Sequence, residues 1–195
     1  MSSQSVLLTF DDGPQPDEAM RSILETLERE GIRAEFYMLG SEVEQSAALV
    51  VRAASEGHTI QNHSWSHPDL STAPMSRVRE EVGRTQDMIQ RVLGQAPTKI
   101  RPPYGAGGWQ SQLDPELAHV AGSMGLRIEN WDVDTEDWKQ PRGLRPKLRM
   151  IEGQLRQASR RSPINILMHV QRETATDLPM FIDQLRRWGY GFAEP

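Results

Sequence analysis

The sequence has no cysteine among its 195 residues. Disulfides, thiolate metal ligands and thiol nucleophiles are therefore excluded, and any metal must be held by His, Asp, Glu or water. Oxidising and reducing compartments are equally compatible with this. No apolar run approaches the roughly 18 residues of a membrane-crossing helix, so no membrane span is expected. The opening stretch Met1 to Phe10 lacks both the basic segment and the long apolar segment of a secretory leader. An intracellular protein and a mature domain freed of its leader both fit that start. Lysine is scarce: Lys99, Lys139 and Lys147 are the only three among 22 basic residues. The cations are thus almost all arginine, which never loses its charge and grips carboxylates with two parallel bonds. Excess positive charge is also missing. A net charge of −5 argues against nucleic acid as a partner, since a phosphate-binding face must be basic.

A composition of 37% hydrophobic and 25% charged residues is that of an ordinary globular protein. The length suits one domain over residues 1–195, with enough chain to bury a core. Short β-prone runs alternate with amphipathic stretches. Val6 to Phe10 reads as a strand, and Asp17 to Glu30 as a helix stopped by Gly31. Phe36 to Leu39 is a second strand, followed by a helix capped by Ser41 and Glu44 and ending near Gly57. A strand at His58 to Asn62, a helix at Ser76 to Leu93 and a strand at Thr98 to Arg101 follow. Asp114 and Pro115 open a helix to Met124. Ile128 to Val133 (strand), Pro146 to Arg160 (helix), Ile164 to Val170 (strand) and Leu178 to Trp188 (helix) complete the pattern. About seven strand–helix pairs predict an α/β fold with a parallel sheet. A barrel is favoured over an open sheet, because no Gly-rich phosphate loop follows the first strand.

Residues that suit neither core nor surface recur just after the strands: Asp11-Asp12, His63 with His67, Arg101 with Tyr104, Asp137-Trp138, and His169. In β/α barrels these loops build the active site. Each segment alone has a plainer reading. Asp11-Asp12 before Gly13-Pro14 can be a solvated turn. His63 and His67 can be stacking partners of Trp65, though their spacing also lets them chelate one ion. Arg101 can be an exposed arginine beside two prolines, and His169 a satisfied core histidine. His58 and His119 are read as core or surface residues and not as ligands. The basic residues from Arg142 to Arg161 read as a solvated face, or as a contact for an anionic polymer.

Taken together, the segments resemble the five motifs of the polysaccharide deacetylases, the NodB-homology family also called carbohydrate esterase family 4. The matching stretches are Thr9–Pro14, His63–Pro68, Arg101–Gly105, Asp134–Trp138 and Leu167–His169, in family order across nearly the whole chain. The resemblance implies a distorted (β/α) barrel that hydrolyses acetyl groups from N-acetylglucosamine residues of a glycan, such as chitin oligomers or peptidoglycan. It implies that Asp12, His63 and His67 hold a divalent metal, Zn2+ or another such as Co2+, which activates water and polarises the acetamide carbonyl. Asp11 would be the general base, oriented and favoured as the anion by Arg101. The Tyr104 N–H would bind the oxyanion. His169, supported by Asp137, would protonate the leaving amine. Trp138 and Leu167, with Tyr104, would line the substrate pocket. The resemblance does not fix the glycan. O-deacetylation of xylan and hydrolysis of a small amide use the same groups. A silent carbohydrate-binding module would be expected to lack one of them. Trp65 and Trp109 are candidate sugar platforms or core residues. Val170 departs from the polar residue common after the last motif. A monomer is expected, and many relatives are secreted or attached to membranes.

Overall fold

In the computed structural model, which describes residues 4–195, strands and helices alternate along the chain. The first strand, β1 (Ser5–Gly13), leads to α1 (Asp17–Glu30) and β2 (Glu35–Met38). Met20, Ile23, Leu24 and Leu27 on α1 have no exposed surface. They pack with Val6, Leu8 and Phe10 of β1, and each such burial stabilises by roughly 1.5–3 kcal/mol. Gly31 ends the helix in the left-handed region, φ 65°, where its N–H bonds the carbonyls of Glu28 and Leu27.

Then come α2 (Gly40–Val43), α3 (Ala47–Ser55), β3 (Thr59–Asn62), α4 (Met75–Leu93), β4 (Lys99–Ile100), α5 (Pro115–Ser123), β5 (Arg127–Ile128), β6 (Val133–Asp134), α6 (Leu148–Gln157), β7 (Ile164–His169), α7 (Arg172–Arg187) and β8 (Gly191–Phe192). The sheet runs β5-β4-β3-β2-β1-β7-β6, with every pairing parallel, and β8 joins Ser5 and Val6 of β1. This curled sheet with helices outside is the expected distorted (β/α) barrel. A second apolar cluster, including Leu70, Val78, Val82, Leu117 and Val120, fixes α4 and α5 to each other.

Three expected elements differ. The helix from Ser41 to Gly57 is broken at residues 44–46, without the Ser41–Glu44 capping box. Its first turn is tied elsewhere: the N–H groups of Gly40 and Ser41 bond the carbonyls of Ser64 and Trp65, and Ser46 Oγ bonds Asp17. The strand expected from Ile128 to Val133 is two short strands on opposite edges of the sheet. Residues 129–132 cross the seam between them with no helix, which leaves the barrel open there. Finally, α7 begins at Arg172 and runs through Pro179, whose sacrificed N–H is tolerated because Leu178, Phe181, Ile182 and Leu185 are buried. The Asp114 cap is present: its side chain accepts from the Leu117 N–H at 2.8 Å.

Candidate active site

The first acids reach one site because β1 is irregular. Its pairing with β2 slips between Phe10 and Gly13, and Asp12 takes a left-handed conformation at φ 65°. A bulge of this kind re-aims side chains, so consecutive carboxylates need not face opposite ways. The break lies at Asp12 itself, ahead of the Gly13-Pro14 turn that the sequence suggests. Gly13 serves a different need: a Cβ there would stand 3.1 Å from Val170 Cγ2. Val170, the departing residue of the last motif, is buried at that contact. It lies away from the cleft.

Asp11 is 3% exposed and accepts from Arg101 Nη1 at 2.7 Å. Arg101 is fully buried. Nη1 also donates to Thr9 Oγ1 at 2.9 Å, Nη2 to Asn165 Oδ1 at 3.1 Å and the Asn130 carbonyl at 3.3 Å, and Nε to the Glu129 carbonyl at 3.3 Å. The fork of the guanidinium is thus fully used. Tyr37 lies beneath it, ring centroid 4.0 Å from Cζ. Burial works against the charge of Arg101, but Asp11, Tyr37 and Glu35 outweigh it and raise its pKa. Arg101 also draws the seam segment 129–130 against the barrel.

His63 and His67 lie on a curled, non-helical loop after β3, in which Ser64 (φ 69°) and His67 (φ 61°) are both left-handed. For residues other than Gly such conformations cost of order 1–3 kcal/mol each and persist only where the surroundings impose them. Nδ1 of His63 lies 2.7 Å from the Arg101 carbonyl oxygen. A proton on Nδ1 donated to that oxygen leaves the lone pair of Nε2 free to ligate. Asp12 Oδ1 is 3.4 Å from His63 Nε2 and 3.3 Å from His67 Nε2. Ligands held tetrahedrally about 2.0–2.1 Å from one ion stand roughly 3.4 Å apart, so these three atoms fit a shared cation. That Oδ1 is buried without a hydrogen-bond partner, as expected of an oxygen whose partner is a metal. The protonation states agree. Burial would raise the Asp12 pKa, but the close approach of His63, with the charges of His169 and His67, brings it to about 2. Burial pushes His67 down despite Asp12, favouring the neutral ring that a metal needs.

Across the cleft, His169 ends β7. Its Nδ1 lies 2.7 Å from Asp137 Oδ1, and its N–H donates to Asp137 Oδ2 at 2.9 Å. Asp137 is wholly buried and also accepts from Thr174 Oγ1. Burial disfavours the imidazolium, yet the Asp137 hydrogen bond and charge, aided by Asp11 and Asp12, push the His169 pKa up to about 9.

These groups open into one cleft of about 350 Å³, whose walls include Tyr104, Trp138 and Leu167, all three named from the sequence. Tyr104 is left-handed at φ 61° within a tight turn after Pro103, and its ring, 67% exposed, meets His67 edge-on. Trp131 and Asp134 also line the cleft; the sequence reading passes over Trp131 and gives Asp134, which opens the fourth motif stretch, no role. Trp131 lies in the seam crossing, and Asp134 looks like a turn acid, its Oδ1 accepting from the Glu136 N–H. Thr9 and Asn165 had a usable signal: each is a polar residue inside an apolar strand run. Neither tryptophan weighed as a sugar platform or core residue lines this cleft. Trp65 packs on the core under Arg84, and Trp109 stands edge-on to Trp131 outside this cleft. His58 is buried, accepting the Ala34 N–H, and His119 is exposed on α5. Of the basic residues after Arg142, Arg145, Arg156 and Arg161 pair with Asp177, Glu152 and Asp132, as a solvated face would. No described helix is long and apolar enough to cross a membrane.

Comparison with known proteins agrees with this geometry. A family model described as polysaccharide deacetylase matches residues 1–128. The peptidoglycan-N-acetylglucosamine deacetylase PgdA of Listeria monocytogenes is 35% identical over 192 residues, which are 98% of this chain and 38% of that protein. A chitooligosaccharide deacetylase of Bradyrhizobium sp. is 34% identical over 140 residues, 71% of this chain and 61% of that one. The chain therefore spans less than two thirds of the length of these curated relatives. Among solved structures, the Bc1960 peptidoglycan N-acetylglucosamine deacetylase superimposes with a TM-score of 0.83 at 31% identity, covering 98% of this chain and 86% of that one. With the family model matched over residues 1–128 and a relative 35% identical over 98% of the chain, the chain belongs to the polysaccharide deacetylase family.

Proposed function

We propose that this protein hydrolyses the acetamide of N-acetylglucosamine residues in a glycan, using a divalent cation, Zn2+ or a similar ion such as Co2+. The observation that carries the reading is the convergence of Asp12, His63 and His67, whose ligand atoms lie within 4.8 Å of one another, next to Asp11 and opposite His169. When bound, the cation lowers the pKa of water and polarises a carbonyl oxygen. Asp11, held by Arg101, takes a proton from the attacking water as its oxygen bonds to the acetyl carbon. The Tyr104 N–H, set by the left-handed turn, faces the oxygen that gains charge. Collapse breaks the C–N bond while His169 gives its proton to the sugar nitrogen, so that the amine and acetate depart. Asp137 keeps His169 in the protonated form which that step requires. Trp138 and Leu167 close around the acetyl group.

The relatives named for peptidoglycan and for chitooligosaccharides favour a substrate among N-acetylated glycans. The test is acetate release from N-acetylglucosamine oligomers, peptidoglycan and acetyl xylan, with and without chelator. Chelator-sensitive release from the first two supports the reading. Release from acetyl xylan alone would reassign the activity to an O-deacetylase, and release indifferent to chelator would sink the metal mechanism. Asp11→Asn should lower turnover by about 10²–10⁴ while still binding metal.

A further inference from the structure

The loop bearing the two histidines is held from behind by a carboxylate that takes no part in the proposed reaction. Glu81, in the middle of α4, is 1% exposed. Its Oε2 accepts the N–H of Trp65 at 2.9 Å and of Ser66 at 2.8 Å. Its Oε1 accepts Ser66 Oγ at 2.8 Å and pairs with Arg77 Nη2 at 2.6 Å. The flanking amides are satisfied in the same way. Asn62 Oδ1 accepts the Ser64 N–H at 2.9 Å, and Ser64 Oγ accepts that of His67 at 3.1 Å. Asn62 is in turn anchored to α4 through the Val82 carbonyl and Gln86 Oε1, both at 3.0 Å. Every backbone N–H from Ser64 to His67 thus ends on a side-chain oxygen, with the anion taking the middle two. Successive amides curled around one oxygen form a concave anion site, and here the protein's own carboxylate fills it.

We infer that Glu81 is a positioning residue for the metal ligands, holding the 63–67 loop in its ligating shape before any cation arrives. The two left-handed residues of the loop, Ser64 and His67, adjoin the amides that Glu81 binds. Without the carboxylate those amides would turn to water, and the loop would relax toward ordinary backbone angles. His67 would then leave Asp12. The inference rests on the reading of Asp12, His63 and His67 as a cation site.

The experiment uses the full chain and its Glu81→Gln variant, which keeps the size but replaces one acceptor oxygen by a donor. Zn2+ affinity is measured by competition with a chromophoric chelator. The visible absorption of the Co2+ form reports ligand geometry, and unfolding of the metal-free proteins reports stability. Zn2+ affinity about 10–100-fold weaker is expected, the usual effect of losing a group that orients a ligand, with an altered Co2+ spectrum. At saturating metal, kcat should return toward the parent value. Glu80→Gln, an exposed neighbour, should change none of these. Unchanged Zn2+ affinity with a lowered metal-free unfolding midpoint would overturn the inference and leave Glu81 a purely structural residue. Should the variant not fold, hydrogen exchange of the metal-free parent tests the same point. Slow exchange at Trp65 and Ser66 is expected, and open-loop exchange that slows only on adding Zn2+ overturns the inference. Parent protein that binds no Zn2+ at all would instead defeat the metal reading itself.

Discussion

His169 and Asp137 are joined twice: the imidazole Nδ1 lies 2.7 Å from one carboxylate oxygen, and the His169 backbone N–H donates to the other at 2.9 Å. The ring can neither rotate nor shift without breaking a buried contact. The carboxylate holds the proton on the ring, and the His169 pKa stands near 9 against an ordinary 6.5.

That shift predicts how stability depends on pH. A folded-state pKa raised above the unfolded value gives stabilisation that is complete below pH 6.5 and is lost as pH rises through about 9. A shift of this size is worth on the order of 3 kcal/mol. In metal-free protein, the urea midpoint should fall between pH 6.5 and 9, and Asp137→Asn should flatten the fall. A midpoint independent of pH across that window in the parent would refute the coupling. The alkaline limb of kcat/KM in the metal-loaded enzyme should likewise move to lower pH in Asp137→Asn.

Replacing Arg101 should damage the fold as well as the chemistry. Arg101→Met leaves the buried Asp11 carboxylate without its cation and strips bonds from Thr9 and Asn165. Breaking a buried pair from one side typically costs about 3–5 kcal/mol. Arg101→Lys keeps the charge but cannot reach acceptors on both sides of a fork, so it should recover stability only in part. Denaturant unfolding of both variants checks this, and parent-like stability of Arg101→Met would contradict it.

Metal should stabilise the native state by mass action. At about 100 times its dissociation constant, Zn2+ adds roughly 2.7 kcal/mol, or about 5–10 °C in Tm for a domain of this size. Asp12→Asn should abolish the shift, while Asp11→Asn should keep most of it. Thermal melts with chelator or Zn2+ distinguish them, and equal shifts in both variants would undo the separate roles given to neighbouring acids.

Trp138 is 50% exposed at the cleft, with Lys139 Nζ 5.0 Å from its ring centroid. Removing an exposed ring should leave stability within about 0.5 kcal/mol. Trp138→Ala should therefore raise KM for acetylated oligomers without changing the unfolding midpoint. A large loss of stability would show the ring to be structural.

Much of the site was legible because its chemistry needs particular residue types beside strand ends. The Asp11-Asp12, His63/His67 and Arg101 segments, each open to a plainer reading alone, stand out together in that way. Residues whose part depends on approach through space did not. Tyr37 reads as one more aromatic in a strand, and only the fold brings its ring beneath Arg101. Trp131 reads as part of a strand, and only the crossing of an open seam turns it to the cleft. Glu81 lies unremarked within the helix expected from Ser76 to Leu93, yet the loop from Trp65 folds onto it.

The periodicity of apolar residues and the loops between them determined a parallel β/α arrangement, since burying one face of each helix and both faces of each strand leaves few alternatives. Residue chemistry determined that any metal would be held by oxygen and nitrogen. The resemblance named Asp12 to join the histidines and Asp11 to meet Arg101, but what separates two neighbouring acids in this way lies only in three dimensions. One left-handed residue, Asp12, breaks the alternation of β1, and Arg101, distant in the chain, takes hold of Asp11. Local sequence sets which conformations are cheap, whereas long-range contacts select the costly ones that a working site requires.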